Sequence, residues 1–331
     1  MSEFIVITTI FPPTTAVRTY ASMKGWSLVV VGDKKTPDPW FCDRAEYLSA
    51  NAQSALAFEL SRALPWNHYC RKMLGYLLAA RRGAGIIVDT DDDNTPKSNW
   101  GFPGFDGEFE IVTGRGFVNI YRYFTSQHVW PRGLPLHEIT KSEPKSGDSA
   151  VARIGVWQML ADGDPDVDAL YRLAIGRDVW FQERAPVVLD SGMWCPFNSQ
   201  NTAFRKELFP LLYLPSTVSF RFTDILRGWV AQPIMWQYNF RLGFGMATVV
   251  QDRNSHDLLR DFESELPMYL MPTETFESLQ MAAARGKNVR ESLRECYEEL
   301  LRLKIVRKEE LETLELWLND LATCANASDS L

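Results

Sequence analysis

The chain has 331 residues, of which 46% are hydrophobic, 23% charged and 12% aromatic, a globular composition that excludes a disordered chain. Its 35 basic and 42 acidic side chains leave a net charge of -7, with no general pull toward nucleic acid or anionic membrane. The cysteines (Cys42, Cys70, Cys195, Cys296 and Cys324) form no CxxC pair, which excludes the usual zinc ribbon and disulfide framework.

Along the chain, Phe4–Ile10 and Leu28–Val31 read as short apolar strands. Between them, Pro12-Pro13-Thr14-Thr15 opens a helix with Ala16, Val17 and Tyr20 on one face. A second helix is expected from Ser49 to Pro65, and a third over Tyr69–Arg82, closed by Gly83. The run Gly85-Ile-Ile-Val88 then ends abruptly in acids. This alternation predicts an α/β fold with a Rossmann-like parallel sheet flanked by helices. Leu134–Ala150, rich in Gly, Pro and polar residues, is expected to be a loop or lid. An acidic turn at 162–168 leads into a helix over Ala169–Ile175. From Thr273 to about Leu321 the chain turns charged and helical, so residues 1–270 read as one domain and 271–331 as a helical extension able to form a homo-oligomer. No apolar run reaches the ~18–20 residues of a bilayer span, and the N-terminus lacks a signal peptide's basic region. A soluble, cytoplasmic chain without a membrane span is expected.

Asp91-Asp92-Asp93 follows a strand, as does Asp33 after Val29-Val30-Val31-Gly32, and ligands in such sheets bind at the carboxyl ends of strands. Clustered carboxylates repel one another unless a cation or donors neutralise them, and Asp91 and Asp93 form an Asp-x-Asp suited to sharing Mg²⁺ or Mn²⁺ with a diphosphate. An exposed acidic loop is the plainer alternative. Asp33 could accept hydrogen bonds from a base or ribose, or only from its own turn. Arg71 and Lys72 could face phosphates or solvent. Asp166 and Asp168 fit a helix start as well as sugar hydroxyls. Asn201 suits hydroxyl recognition, and also a turn.

Arg71-Lys72-Met-Leu-Gly75-Tyr76 followed by Ile-Ile-Val-Asp-Thr-Asp91-Asp92-Asp93 resembles the helix and acidic motif of plant UDP-arabinopyranose mutases, the reversibly glycosylated polypeptides. More of the chain is similar to the STELLO glycosyltransferase-like proteins: Lys24-Gly-Trp26, Gly32-Asp33 with Thr36-Pro37, Val129-Trp-Pro-Arg132-Gly-Leu-Pro135, Asp164-Pro-Asp166-Val-Asp168, Pro196-Phe-Asn198-Ser-Gln-Asn201-Thr and Asp224-Ile-Leu-Arg227-Gly-Trp229. The resemblance runs from about Phe4 to Pro267 and leaves the tail beyond Thr273 uncovered.

It implies a GT-A-like fold and a glycosyltransferase that uses a nucleotide sugar, expected to be a UDP-sugar, and a saccharide acceptor. By that likeness Asp91, Asp93 and His256 would hold the Mn²⁺ or Mg²⁺, and Asp224 would be the catalytic carboxylate near the acceptor. Thr8, Asp33, Arg71, Asp92, Asp166, Asp168 and Asn201 would bind the donor. Arg132 falls near the arginine that carries the sugar in the mutases. A pyranose–furanose mutase and a noncatalytic scaffold are therefore the alternative functions.

Overall fold

The computed structural model describes residues 2–141, 144–253 and 257–328. Strands β1 (Ser2–Thr8), β2 (Trp26–Val31), β3 (Ala45–Leu48) and β4 (Ala84–Thr90) lie in the order β3-β2-β1-β4, all parallel. Both faces of β1 are buried, Phe4 and Val6 in one core and Ile5 and Ile7 in another, as continuous apolar parallel strands require. Helix α1 (Thr15–Ser22), capped by the Thr14 hydroxyl, supplies Ala16, Val17 and Tyr20 to the second core.

The helix expected from Ser49 to Pro65 is two short pieces, α2 (Ala50–Ser54) and α3 (Leu60–Ala63). Ser49 caps the first. The carboxylate of Asp320, 260 residues away in sequence, accepts from the Leu60 N–H and starts the second. A 3-10 turn at Tyr69–Lys72 leads into α4 (Met73–Arg81). There Gly75 is required by close packing: a Cβ would stand 2.5 Å from a Val6 methyl and 2.8 Å from one of Val31.

The second half of the sheet is mixed. In chain order come β5 (Asn94–Pro96), β6 (Asp106–Thr113), β7 (Gly116–Phe117), β8 (Lys145–Gly163), β9 (Val187–Leu189), β10 (Met193–Trp194), β11 (Asn201–Arg205) and β12 (Arg241–Gln251). Strand β11 runs antiparallel between β4 and β8, and β12 runs parallel to β8. Residues 145–150 are therefore strand, correcting the expected loop. The first half of β8 pairs antiparallel with β6 while its side chains face solvent, so it needs no apolar alternation. The second half, from Ile154, is buried between β11 and β12.

Four helices sit among these strands and after them: α5 (Tyr121–Phe124), α6 (Ala169–Ala174), α7 (Thr223–Gln237) and α8 (Leu258–Tyr269). The tail forms α9 (Glu274–Ala283), α10 (Val289–Arg302) and α11 (Glu309–Ser328). Leu279, Leu300, Trp317 and Leu318 belong to the same buried cluster as α4 and α7, so a boundary at residue 270 separates no second core. Among the described residues no helix is long and apolar enough to cross a membrane. The architecture is GT-A-like: one large mixed sheet between helical layers.

Candidate active site

Strand polarity gathers the chemistry at one end of the sheet. Strands β1, β2, β4, β8 and β12 end there at Thr8, Val31, Thr90, Gly163 and Gln251, and β11 begins there at Asn201. The segments leaving these ends surround a cavity of about 350 Å³, into which α7 also presents its first turn with Asp224. On one side, Asp33 lies beside His68, whose backbone N–H donates to Asp33 Oδ2 at 3.3 Å. The His68 ring accepts the Cys70 N–H at Nδ1, and burial pushes its pKa down.

The acidic loop is built over buried cations. Asp89, inside β4, is paired with Lys72 at 2.6 Å and Arg227 at 2.7 Å. Burial alone would raise its pKa, but these two cations outweigh that and hold it below the usual range. Asp91 Oδ1 accepts from the Tyr69 hydroxyl at 2.8 Å and Lys72 Nζ at 3.1 Å. Burial still pushes Asp91 up to about 6, with Lys72 opposing and Asp93 and Asp89 adding to the rise. Asp92 accepts from the Thr9 hydroxyl, and burial pushes it up to about 7. Asp93 accepts from Gln251 Nε2 at 3.1 Å, across the pairing of β12 with β5.

The opposite wall is a chain of ion pairs. Arg132 Nε and Nη2 clasp Asp166 at 2.8 and 2.7 Å, Nη2 also reaches Asp224 at 2.9 Å, and Nη1 donates to the Arg221 carbonyl. Arg221 in turn pairs with Glu265 of α8 at 2.8 Å. Asp224 Oδ2 also accepts the Ser199 N–H at 3.2 Å. Burial works against the charge of Asp166, but Arg132 and Arg221 hold its carboxyl well below the usual range.

Residues 221–329 match the family model described as STELLO glycosyltransferases. Two proteins of Arabidopsis thaliana, "Probable glycosyltransferase STELLO2" and "Probable glycosyltransferase STELLO1", are 31% and 30% identical to it over 257 residues, or 71% of this chain. The chain is thus similar to the STELLO glycosyltransferase-like proteins. It spans about a third of the length of these relatives, 34% and 33%. The STELLO match extends through α9–α11, correcting the expectation that the likeness stops near Pro267. Short fixed motifs thin out there because helices carry their signal as spaced apolar positions.

Within this STELLO-like fold, Thr8, Asp33, Asp91, Asp92, Asp93, Arg132, Asp166 and Asp224 line the same cavity. Three predicted donor-binding residues do not. Arg71 is buried below it, held by Gln53 at 2.7 Å and the Leu64 carbonyl at 3.0 Å and stacked on Trp66. Asp168 caps α6 through the Tyr171 N–H and accepts from Trp130 and Tyr269. Asn201, in β11, bonds Trp100 and Thr248. Each has its hydrogen bonds met inside the fold. His256 lies outside the described residues.

Sequence reasoning missed Arg221, Gln251 and His68 in the lining. It also left Lys72 open between phosphates and solvent, although Lys72 is 0% exposed. The closeness of Lys72 to the apolar start of α4 was the available signal.

Proposed function

We propose that this STELLO-like chain is a metal-dependent glycosyltransferase that moves a sugar from a nucleotide donor, read as a UDP-sugar, to a saccharide acceptor. One observation carries the reading: the acidic loop, Asp33 and Asp224 face a single cavity at the carboxyl ends of the strands.

The residues fit a hard divalent cation. Among the described lining residues, six carboxylates (Asp33, Asp91, Asp92, Asp93, Asp166 and Asp224) meet four basic side chains (Lys35, Arg132, Arg221 and Arg253). The raised pKa values of Asp91 and Asp92 reflect burial and the repulsion within the loop. Carboxylate oxygens suit Mn²⁺ or Mg²⁺. Among the described residues no group of three or more His, Cys, Asp or Glu side chains forms a complete metal nest. Asp91 and Asp93 would therefore hold the ion together with donor oxygens and water. Once bound, such an ion stabilises negative charge on the departing diphosphate.

The chain's own residues would do the rest. Asp33, braced by His68, would bind the donor's base or ribose. Asp224 would take the proton of the acceptor hydroxyl while that oxygen bonds to the anomeric carbon and the nucleoside diphosphate leaves. Arg132 is 4% exposed and donates to protein oxygens from Nε, Nη1 and Nη2. Burial disfavours its charge, yet Asp166 and Asp224 push its pKa further up, so the guanidinium stays a cation. That speaks against Arg132 as a nucleophile, and so against the mutase, and it makes Arg132 a positioning residue for Asp224 rather than a donor contact.

The test is incubation with a panel of radiolabelled nucleotide sugars, Mn²⁺ and oligosaccharide acceptors. Label should move to an acceptor with release of nucleoside diphosphate, and Asp224→Asn should keep donor binding while losing about 10²–10⁴-fold in transfer. A furanose product, or stoichiometric label on Arg132, would establish the mutase instead. Donor binding without any turnover would leave the scaffold.

A further inference from the structure

Beneath the acidic loop is a cation that neither the family likeness nor the proposed reaction assigns. Lys72 is wholly buried, and four oxygens surround its Nζ: Asp89 Oδ1 at 2.6 Å, the Thr90 carbonyl at 2.5 Å, the Tyr69 hydroxyl at 3.0 Å and Asp91 Oδ1 at 3.1 Å. An ammonium has three protons to donate, so this is a filled oxygen cage. Asp89 is further neutralised by Arg227, which leaves Asp91 as the carboxylate that both Lys72 and the cavity can use. Its side chain is 30% exposed, and Oδ1 is the oxygen turned inward. We propose that Lys72 is a positioning residue, the resident cation of the loop, which holds Asp91 Oδ1 inward, leaves Oδ2 to the cavity and competes with an exchangeable divalent ion for that carboxylate. The proposal rests on the metal reading above, and it predicts that metal affinity is held down by a charge built into the fold.

The experiment titrates the full chain with Mn²⁺ alone and reads free Mn²⁺ by electron paramagnetic resonance, with folding of each variant checked by circular dichroism. Lys72→Met removes the charge, and Lys72→Gln removes it while keeping an amide donor in place should the methionine fail to fold. Both should bind Mn²⁺ about ten-fold or more tighter than the native chain. Lys72→Arg should behave as native, and adding Asp91→Asn to Lys72→Gln should abolish the gain. Native binding with unchanged or weaker affinity in the folded neutral variants would overturn the proposal and leave the metal reading standing. Binding by the neutral variants but not by the native chain would support the resident cation. If no form binds Mn²⁺, the resident-cation proposal falls, while the metal reading, in which donor oxygens share the ion, is tested separately by transfer with and without Mn²⁺.

Discussion

Asp92 shows at the residue scale how burial stores an electrostatic cost at the site. Burial, with Asp93 and Asp91 close by, pushes its carboxyl up to about 7 against the partial relief of the Thr9 hydroxyl. An unfolded chain would release that proton near pH ~4. The folded protein therefore binds the proton more tightly, and this group's contribution to stability falls as pH rises from about 4 to about 7. Asp92→Asn can still accept from Thr9 and never ionises. It should be more stable than the native protein by about 4 kcal/mol at pH 8, the difference closing as the pH is lowered to 4. Urea unfolding at the two pH values checks this. A difference of the same size at both would show that the proton is not held at Asp92.

At the scale of elements, the carboxylate of Glu310 in α11 ties the C-terminal helices to the wall of the cavity. It accepts the Ser216 N–H at 3.0 Å, the Thr217 N–H at 2.7 Å and the Tyr213 hydroxyl, in the turn that leads to Phe220–Phe222 and Asp224. Glu310→Ala strands these donors in a largely dry environment and should destabilise the protein by about 2–4 kcal/mol. Glu310→Gln, which keeps one acceptor oxygen, should cost less. Guanidinium unfolding of the two variants provides the measurement, and a Glu310→Ala cost within about 0.5 kcal/mol of zero would sink the assignment. A related dependence explains the broken helix before Pro65. Local propensity favoured one helix, but Ser49 caps α2 and a distant cap from Asp320 starts α3 separately.

For the whole molecule, α9–α11 complete the core. Ending the chain at residue 272 would strip Leu279, Leu293, Leu300, Trp317 and Leu318 from a cluster that includes α4 and α7. Each such side chain contributes about 1.5–3 kcal/mol by its burial, so the loss is as large as the whole stability of an ordinary domain. The truncated chain should be insoluble or lack a cooperative melt. A soluble 1–272 fragment that melts cooperatively would show the helices to be an accessory.

The sequence by itself determined the parallel strands and the acidic loop, because apolar runs ending in Asp33 and Asp91–Asp93 are local patterns whose meaning does not depend on distant partners. Ordered motifs likewise revealed the family resemblance. Only the tertiary structure decided which polar residues face the cavity. Arg71 and Lys72 are adjacent in one turn, yet Gln53 and Leu64 draw the first into the core while Asp89 and Asp91 draw the second beneath the loop. Asp166 and Asp168 share one acidic turn, yet Arg132 takes the first to the cavity wall and the start of α6 takes the second away. Buried polar groups go where their hydrogen bonds can be met, and those partners come from segments tens to hundreds of residues away.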